Sequence, residues 1–510
     1  MLKPRVLKRI AELGLTALIV LSTPLMGCDG RSAAGTAGPR PNIVFILVDT
    51  LRADRLGCHG HSGGLSPMMD ELARQGVLFE RAIATSSWTL PSVASYFCGY
   101  YPTVHKVTSY REAVQMSQGA AGTVRYFGDE FTTLAEVLQA NGYLTAGFSA
   151  NPFITQKLGF AQGFEHFDAS FAANETHGNV VNAAALKWLA QRDKSKPFFL
   201  YLHYMDVHDP YKASDKYVEP LVTAVEKMAN KTPLTEDEMK RHKNYFTKSA
   251  VAYRGVPRHM RLFRYVEYWR ARYDAGVPQV DQYLNELRAK LQEMELWDDA
   301  YVILTADHGE SLGEHKLWAH GLSAHQDQLH VPLILRWPGK LPAGKRLPQT
   351  VRLFDIMPTL LAQLQIDVEE DLQAESLLGL IHSGAPPPLA AFAEAVKKRP
   401  GEKALVLGQW KLLAYTDENR YELYNLDDDP TEQRNLAAEY PQRTGELRRL
   451  LDKQIEENDA LGAGVTVQEA VMTPAEFERL RALGYVGQGG EEGNETETGA
   501  EPRIEEPPEP

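Results

Sequence analysis

Cysteine is scarce in this chain, with three residues in 510. One of them, Cys28, closes the leader described below. Cys58 and Cys98 alone make no disulfide framework and read as buried thiols. Cys98 is also a poor nucleophile candidate, because "CGYYP" lacks the x-P-S that would set it at a helix start. A basic excess is missing too: 54 Lys and Arg stand against 67 Asp and Glu, a net charge of -13. Without a basic stripe, nucleic acid is excluded as a general partner. No fixed-period repeat is visible. The longest early apolar run, "LTALIVLSTPLMG", is too short to span a bilayer comfortably as a helix.

What stands at the N-terminus is a targeting segment. Lys3, Arg5, Lys8 and Arg9 precede the apolar run, which ends in "LMGC". That ending is similar to a bacterial lipobox, with Cys28 as the acylated residue; Met26 is an imperfect match to it. We expect residues 1–27 to be a lipoprotein-type signal peptide and 28–40 a flexible tether. The exported protein would then be lipid-anchored at the outer face of the inner membrane, in the periplasm, or at the cell surface. Asp29, directly after Cys28, favours the inner membrane.

The length suits one large domain plus a smaller one. "PNIVFILVDT", "VLFERAIA", "KPFFLYLHYMD", "AYVILTADHGE" and "VPLILRWPG" read as strands. Ser66-Pro67 opens a helix that Gly76 ends, and "TLAEVLQANGYLTAGFSA" is helix, glycine stop and strand. This alternation predicts an α/β fold, a layered and largely parallel sheet with helices on both faces, over residues 41–375. A charged, aromatic helical insertion is expected at about 211–275. Residues 376–486 read as a small antiparallel α+β subdomain. Residues 487–510 are rich in Gly, Glu and Pro without apolar periodicity, and we expect an acidic disordered tail there.

Three predicted strands end in groups that can bind metal. "FILVD" ends in Asp49, "FFLYLHYMDVH" in Asp206 and His208, and "YVILTADH" in Asp307 and His308. Ligands gather beyond the carboxyl ends of strands in open α/β sheets. One acidic strand end is an ordinary loop; three together point to a metal or anion site. His203, inside its strand, reads as a hydrogen-bonded core residue. His105, His315, His325 and His330 read as structural or exposed.

"PNIVFILVDTLRADRLGCHG", "SSWTLPSVASYFCGYYPTVH", "LYLHYMDVHDPY", "ILTADHGESLGEH" and "YELYNLDDDPTEQRNLA" together resemble the ordered landmarks of the sulfatase family, within the alkaline phosphatase superfamily. The resemblance implies an oxygen nucleophile, activated on a divalent metal, that attacks sulfur or phosphorus. Thr89 takes the nucleophile's place, ahead of "LPSVASYF", at or near a helix N-cap. The helix dipole there favours an alkoxide and an incoming anion. Several parts of the family pattern are absent. Thr89 stands where formylglycine would form from cysteine or serine, so no formylglycine is expected. Val93 replaces an arginine, Thr50 the second carboxylate of a D-D pair, and His308 an asparagine. "GYLTAGFSANPF" lacks a Lys and a His that would hold sulfate.

These departures resemble the threonine-dependent phosphodiesterases and headgroup phosphotransferases of the superfamily. The resemblance implies a metal set of Asp49, Thr89, Asp307 and His308. An imidazole among carboxylates favours Zn²⁺ or Mn²⁺ over Ca²⁺. His320, in the downstream "AHG", and His208 are implied contacts of the transferred group, with Asp206 a candidate for a second metal. The expected partner is an anionic ester: a sulfated or phosphorylated glycan, lipid or small molecule. Three functions follow: a sulfate or phosphate ester hydrolase, a membrane-anchored phospho-headgroup transferase or phosphodiesterase, and a non-catalytic glycan-binding protein. For the anchor, palmitate labelling should mark the full chain and be lost in Cys28→Ala; equal labelling of both overturns the acylation.

Overall fold

The computed structural model describes residues 40–476 and Leu480, apart from residues 109, 113–121, 174–176, 244, 247–256, 369–370, 384–389, 396, 398 and 400. The leader with Cys28 and the acidic tail lie outside the described residues. The apolar runs become β1 (Ile43–Val48), β2 (Val77–Ile83), β3 (Leu144–Ser149), β4 (His166–Asp168), β5 (Phe198–Tyr204), β6 (Tyr301–Thr305), β7 (His330–Arg336) and β8 (Lys345–Arg352). They form one sheet in the order β8-β2-β7-β6-β1-β5-β3-β4. Only β7 runs against its neighbours, β2 and β6. All six residues of β1 are buried, and so are all seven of β5. A strand covered on both faces needs such an unbroken apolar run. Each large apolar side chain buried there contributes roughly 1.5–3 kcal/mol.

Helices flank this sheet: α1 (Pro67–Gln75), α2 (Thr89–Cys98), α3 (Leu134–Ala140), α4 (Gly178–Gln191), α5 (Asp215–Lys227), α6 (Val266–Asp274), α7 (Gly276–Glu293) and α8 (Ile356–Gln363). Pro67 opens α1 and Gly76 follows its last residue, as the sequence predicts. Ser66 does not cap it. The Asp281 carboxylate, on α7, instead accepts the backbone N–H groups of Met68 (3.0 Å) and Met69 (2.9 Å). A helix start leaves these donors unpaired, and a carboxylate also suits the positive end of the dipole. Thr133 and Glu136 open α3 with a reciprocal capping box.

The insertion is helical where it is described, with α5, the short helices Glu236–Arg241 and Pro257–Met260, and α6. Beyond residue 390, β9 (Ala391–Glu394), β10 (Glu402–Leu407), β11 (Trp410–Tyr415) and β12 (Arg420–Asn425) make a four-stranded antiparallel sheet in chain order. Helix α9 (Pro441–Gly462) follows. The chain then returns to the large domain: Glu469–Met472 pairs with Gly122–Arg125, a contact without a periodic signal in the sequence. Cys58 and Cys98 are not joined in a disulfide, with Cys98 buried and Cys58 partly so.

Where β8 hands over to α8, Arg352 grips Asp355 through Nε (3.0 Å) and a second guanidinium nitrogen (2.8 Å), and both are buried. Asp355 also accepts the Glu375 backbone N–H at 2.9 Å. Removing one partner strands a buried charge. Asp355→Ala should therefore lower the unfolding free energy by about 3–5 kcal/mol, read by denaturant titration against the wild type.

Candidate active site

Strand β1 pairs with both β5 and β6, so the three ligand-bearing strand ends are neighbours. Asp49 follows β1 directly, and its backbone N–H is donated to the Tyr204 carbonyl at 2.9 Å. Its side chain is fully buried. Asn151 Nδ2 (2.7 Å) and His203 Nε2 (3.0 Å) both donate to Oδ2. Oδ1 has no hydrogen-bond partner among the described residues. Asp307 repeats the pattern. Its Oδ1 accepts the backbone N–H groups of Thr50 (3.2 Å) and His308 (2.9 Å), while Oδ2 is unpartnered among the described residues.

His308 completes the group. Its Nδ1–H is donated to the Gly309 carbonyl at 2.8 Å, which puts the lone pair on Nε2. Nε2 lies 3.4 Å from Asp307 Oδ2 and 3.9 Å from Asp49 Oδ1. It is also 3.1 Å from Thr89 Oγ1. A ligand atom from each of Asp49, Asp307 and His308 falls within 4.8 Å of the others. Thr89 is the first residue of α2 and Trp88 is its N-cap, so the threonine hydroxyl faces His308. All ten residues of α2 are buried. Ser92 Oγ donates to the Asp307 carbonyl at 2.6 Å, which fastens the helix to the metal-ligand loop. Gly309 is required for close approach: a Cβ there would lie 2.2 Å from the Asp327 carbonyl oxygen.

His208 and His320 lie beside this group. The His320 ring centroid is 4.7 Å from that of His308 and 4.8 Å from that of His208. His320 Nδ1 is 3.0 Å from the buried Glu310 Oε2. His208, Asp209 and His320 form a second group with ligand atoms within 4.8 Å of one another. Asp209 is a site residue that the sequence reading missed; only its place next to His208 hinted at it. Asp206 belongs to neither group. It accepts the backbone N–H of Gly178 (2.9 Å) at the start of α4, and Gln279 Nε2 at 3.0 Å. The positive helix terminus holds its carboxylate away from the centre.

The charges here are set by burial and by one another. Burial opposes ionisation of Asp49, yet the hydrogen bond from His203 and the charge of nearby histidines hold its carboxyl down at about 2. Burial, and then the charge of Asp49, push Asp307 above the usual carboxylate range. Glu310 is raised well above it by burial and by Asp209 and Asp49. Carboxylates this close in a dry site repel each other unless a cation lies between them. The unpartnered oxygens of Asp49 and Asp307, with the lone pair of His308 and the Thr89 hydroxyl, fit a divalent metal ion.

Two further features came from unexpected quarters. Thr50 has φ of 58°, the left-handed region that a β-branched residue rarely enters. The turn aims its N–H at Asp307, and the Tyr273 hydroxyl, from α6 in the insertion, donates to the Thr50 carbonyl at 2.7 Å. His203 does more than fill the core: Tyr96, Tyr201, His203 and Asp49 form one buried chain of hydrogen bonds at 2.9, 3.1 and 3.0 Å. His105 plays the expected loop role, 3.0 Å from Ser95. His315 and His325 stack at 3.7 Å and join Glu432 of the C-terminal subdomain in a third titratable group.

The Thr89 hydroxyl at a buried helix start thus faces carboxylates and imidazoles at parallel strand ends of an α/β sheet. The chain belongs to the sulfatase family: the profile described as Sulfatase matches residues 41–366. A second, described as N-sulphoglucosamine sulphohydrolase, C-terminal, matches residues 313–460. The chain is 24% identical to N-acetylglucosamine-6-O-sulfatase of Bacteroides thetaiotaomicron, over 86% of this chain and 92% of that protein. It is 24% identical to an arylsulfatase of Clostridium perfringens, over 82% and 95%. Among solved structures, a protein in complex with its substrate D-glucosamine-2-N,6-O-disulfate superposes with a TM-score of 0.65, at 20% identity over 82% of this chain and 98% of that one. The phosphonate monoester hydrolase of Agrobacterium radiobacter gives 0.62, at 21% identity over 85% and 100%.

His203 orients the Asp49 carboxylate, so its loss should weaken metal binding without removing a ligand. His203→Phe is expected to reduce affinity for a divalent metal ion by about 10–100-fold, measured by competition with a chromogenic chelator.

Proposed function

We propose that this protein is a metal-dependent hydrolase of sulfate or phosphate esters, with Thr89 as its nucleophile. The observation that carries the reading is Thr89 Oγ1, 3.1 Å from His308 Nε2 at the start of a buried helix. A divalent metal ion held by Asp49, Asp307, His308 and Thr89 would lower the hydroxyl's pKa and offset charge on the ester oxygens. One imidazole among the ligands favours Zn²⁺ or Mn²⁺ over Ca²⁺. Thr89 Oγ1 gives its proton up to solvent and attacks sulfur or phosphorus; its bond to that atom forms, and the bond to the leaving oxygen breaks. His208 and His320, beside His308, would give the leaving oxygen its proton and orient the transferred group. Water then releases the sulfate or phosphate and restores Thr89. The positive end of α2 favours the anion throughout.

Two relatives support the breadth of this substrate class, one with a disulfated glucosamine substrate and one a phosphonate monoester hydrolase. We place sulfated or phosphorylated glycans, lipids and small molecules within reach, with access to lipids through a Cys28 anchor at the outer face of the inner membrane. Among the described residues no helix is long and apolar enough to cross a membrane. One observation favours a phosphodiesterase or headgroup-transferase reading: the second group, His208, Asp209 and His320, offers ligands for another cation. Paired metals suit phosphoryl transfer, where attacking and leaving oxygens both need stabilisation.

Metal analysis of the purified chain beside assays of aryl sulfate, phosphate monoester and phosphate diester substrates tests these readings. Chelation should abolish turnover, and Zn²⁺ or Mn²⁺ should restore it. Thr89→Ala should lower kcat by on the order of 10³-fold or more, and turnover surviving in that variant removes Thr89 as nucleophile. Two metal equivalents with diester turnover favour the phosphodiesterase reading, and one equivalent with sulfate turnover favours the sulfatase reading.

A further inference from the structure

The backbone that carries His320 is bent on both sides of it. Ala319 and Gly321 each have φ of 72°, in the left-handed region. A glycine enters that region freely, but an alanine stays there only where its neighbours hold it. Before His320, Trp318 and Ala319 pair with Leu312 and Ser311 in a short antiparallel ladder. After it, the holders come from the C-terminal subdomain.

Glu402, the first residue of β10, is buried and accepts the Ala324 backbone N–H at 2.7 Å and the Ser323 hydroxyl. Ser323 Oγ, with its one proton given to Glu402, accepts the Nδ1–H of His325. Glu432, beyond β12 and also buried, accepts the Gln326 backbone N–H at 2.6 Å. The remaining carboxylate oxygens face cations of the same subdomain, Glu402 with Arg399 at 3.2 Å and Glu432 with Lys411 at 2.5 Å. Each buried charge is therefore paired, and each bond to the loop has a charged acceptor, the stronger kind. The segment held in this way reaches two site residues. The Gln328 side-chain carbonyl accepts the N–H groups of Leu322 (3.2 Å) and Ser323 (3.3 Å), and its amide nitrogen donates to Ser311 Oγ at 2.6 Å. The backbone carbonyls of Gln328 and Asp327 accept the N–H groups of Gly309 and Glu310, both at 2.9 Å. Gly309 follows His308, and the Glu310 carboxylate is the partner of His320 Nδ1.

We propose that Glu402 is a positioning residue: by clamping the segment from Ser323 to Gln328, it sets the His320 imidazole against His308. The proposal rests on the hydrolase reading above for the role of His320 as proton donor to the leaving oxygen. Glu402 acts through the backbone of the clamped segment, and a small misplacement of a proton donor costs rate steeply. The C-terminal subdomain thereby takes part in the reaction from a distance.

Steady-state kinetics of the full-length, metal-loaded protein with phenyl and 4-nitrophenyl esters of sulfate and phosphate, beside hydrogen exchange read by mass spectrometry, test this. Glu402→Ala should lower kcat by about 10–100-fold, with KM changed by less than about threefold. The loss should be greater for the phenyl esters, whose leaving oxygen depends more on a proton donor. Glu402→Gln, which keeps an acceptor oxygen for Ala324 and Ser323, should retain most of the rate. In a His320→Ala background, Glu402→Ala should cost less than about threefold more, because both changes remove the same contribution. Amides of residues 319–328 should exchange faster in Glu402→Ala than in wild type. Ser323→Ala removes one bond of the clamp with a smaller change, should move each readout in the same direction, and carries the test if Glu402→Ala does not fold. Unchanged kcat in both variants, equal losses for the two leaving groups, or full additivity with His320→Ala would overturn the proposal and leave Glu402 a purely structural group. If the wild type turns over none of the esters, the hydrolase reading fails while exchange still decides the clamp: unchanged exchange over residues 319–328 in the variants overturns it.

Discussion

Two carboxylates buried side by side are the constraint on which the rest of this centre depends. Asp49 and Asp307 each spend one oxygen on fixed donors and leave the other turned inward without a partner among the described residues. Such an acceptor, left alone, costs about 1–3 kcal/mol, and more when it is charged. A cation removes that cost. Folding therefore makes a site whose paired carboxylates a metal ion would suit, and the surrounding donors decide which oxygens face it. Asn151, His203, Thr50 and the Tyr96–Tyr201 pair all serve that orientation. Metal affinity is thus spread over groups that never touch the ion.

Much of this was legible in the sequence because it rests on local patterns. Unbroken apolar runs ending in Asp49 and in Asp307-His308 mark central strands and their carboxyl ends. The parallel sheet then brings those ends together without further instruction. The antiparallel C-terminal sheet was legible for the same reason, from alternating runs separated by turns. The sulfatase-like landmarks placed Thr89 at a helix start, although the helix makes it the first residue and Trp88 the cap.

What stayed hidden depends on contacts between distant segments. Asp206 has the chemistry of a ligand, but a helix terminus reaches it first. Asp209 lies one residue past His208, and the turn that folds it into the second group leaves no periodic trace. Tyr273 reaches Thr50 from an insertion with 222 intervening positions, a relation that only the folded chain reveals. Asp281 replaces Ser66 as the partner of the α1 terminus in the same way. Local propensity names the kinds of residue that can serve; packing chooses among them.

Helix α2 is buried along its whole length, with its serines bonded to the Asp307 carbonyl and to His105. Its axis runs through protein rather than along the surface. Mobile ions cannot gather beside it, so the field at its first turn is attenuated little by ionic strength. The pull of that terminus on a bound anion is therefore set by the fold and not by the medium, and it would hold steady across habitats of different salinity.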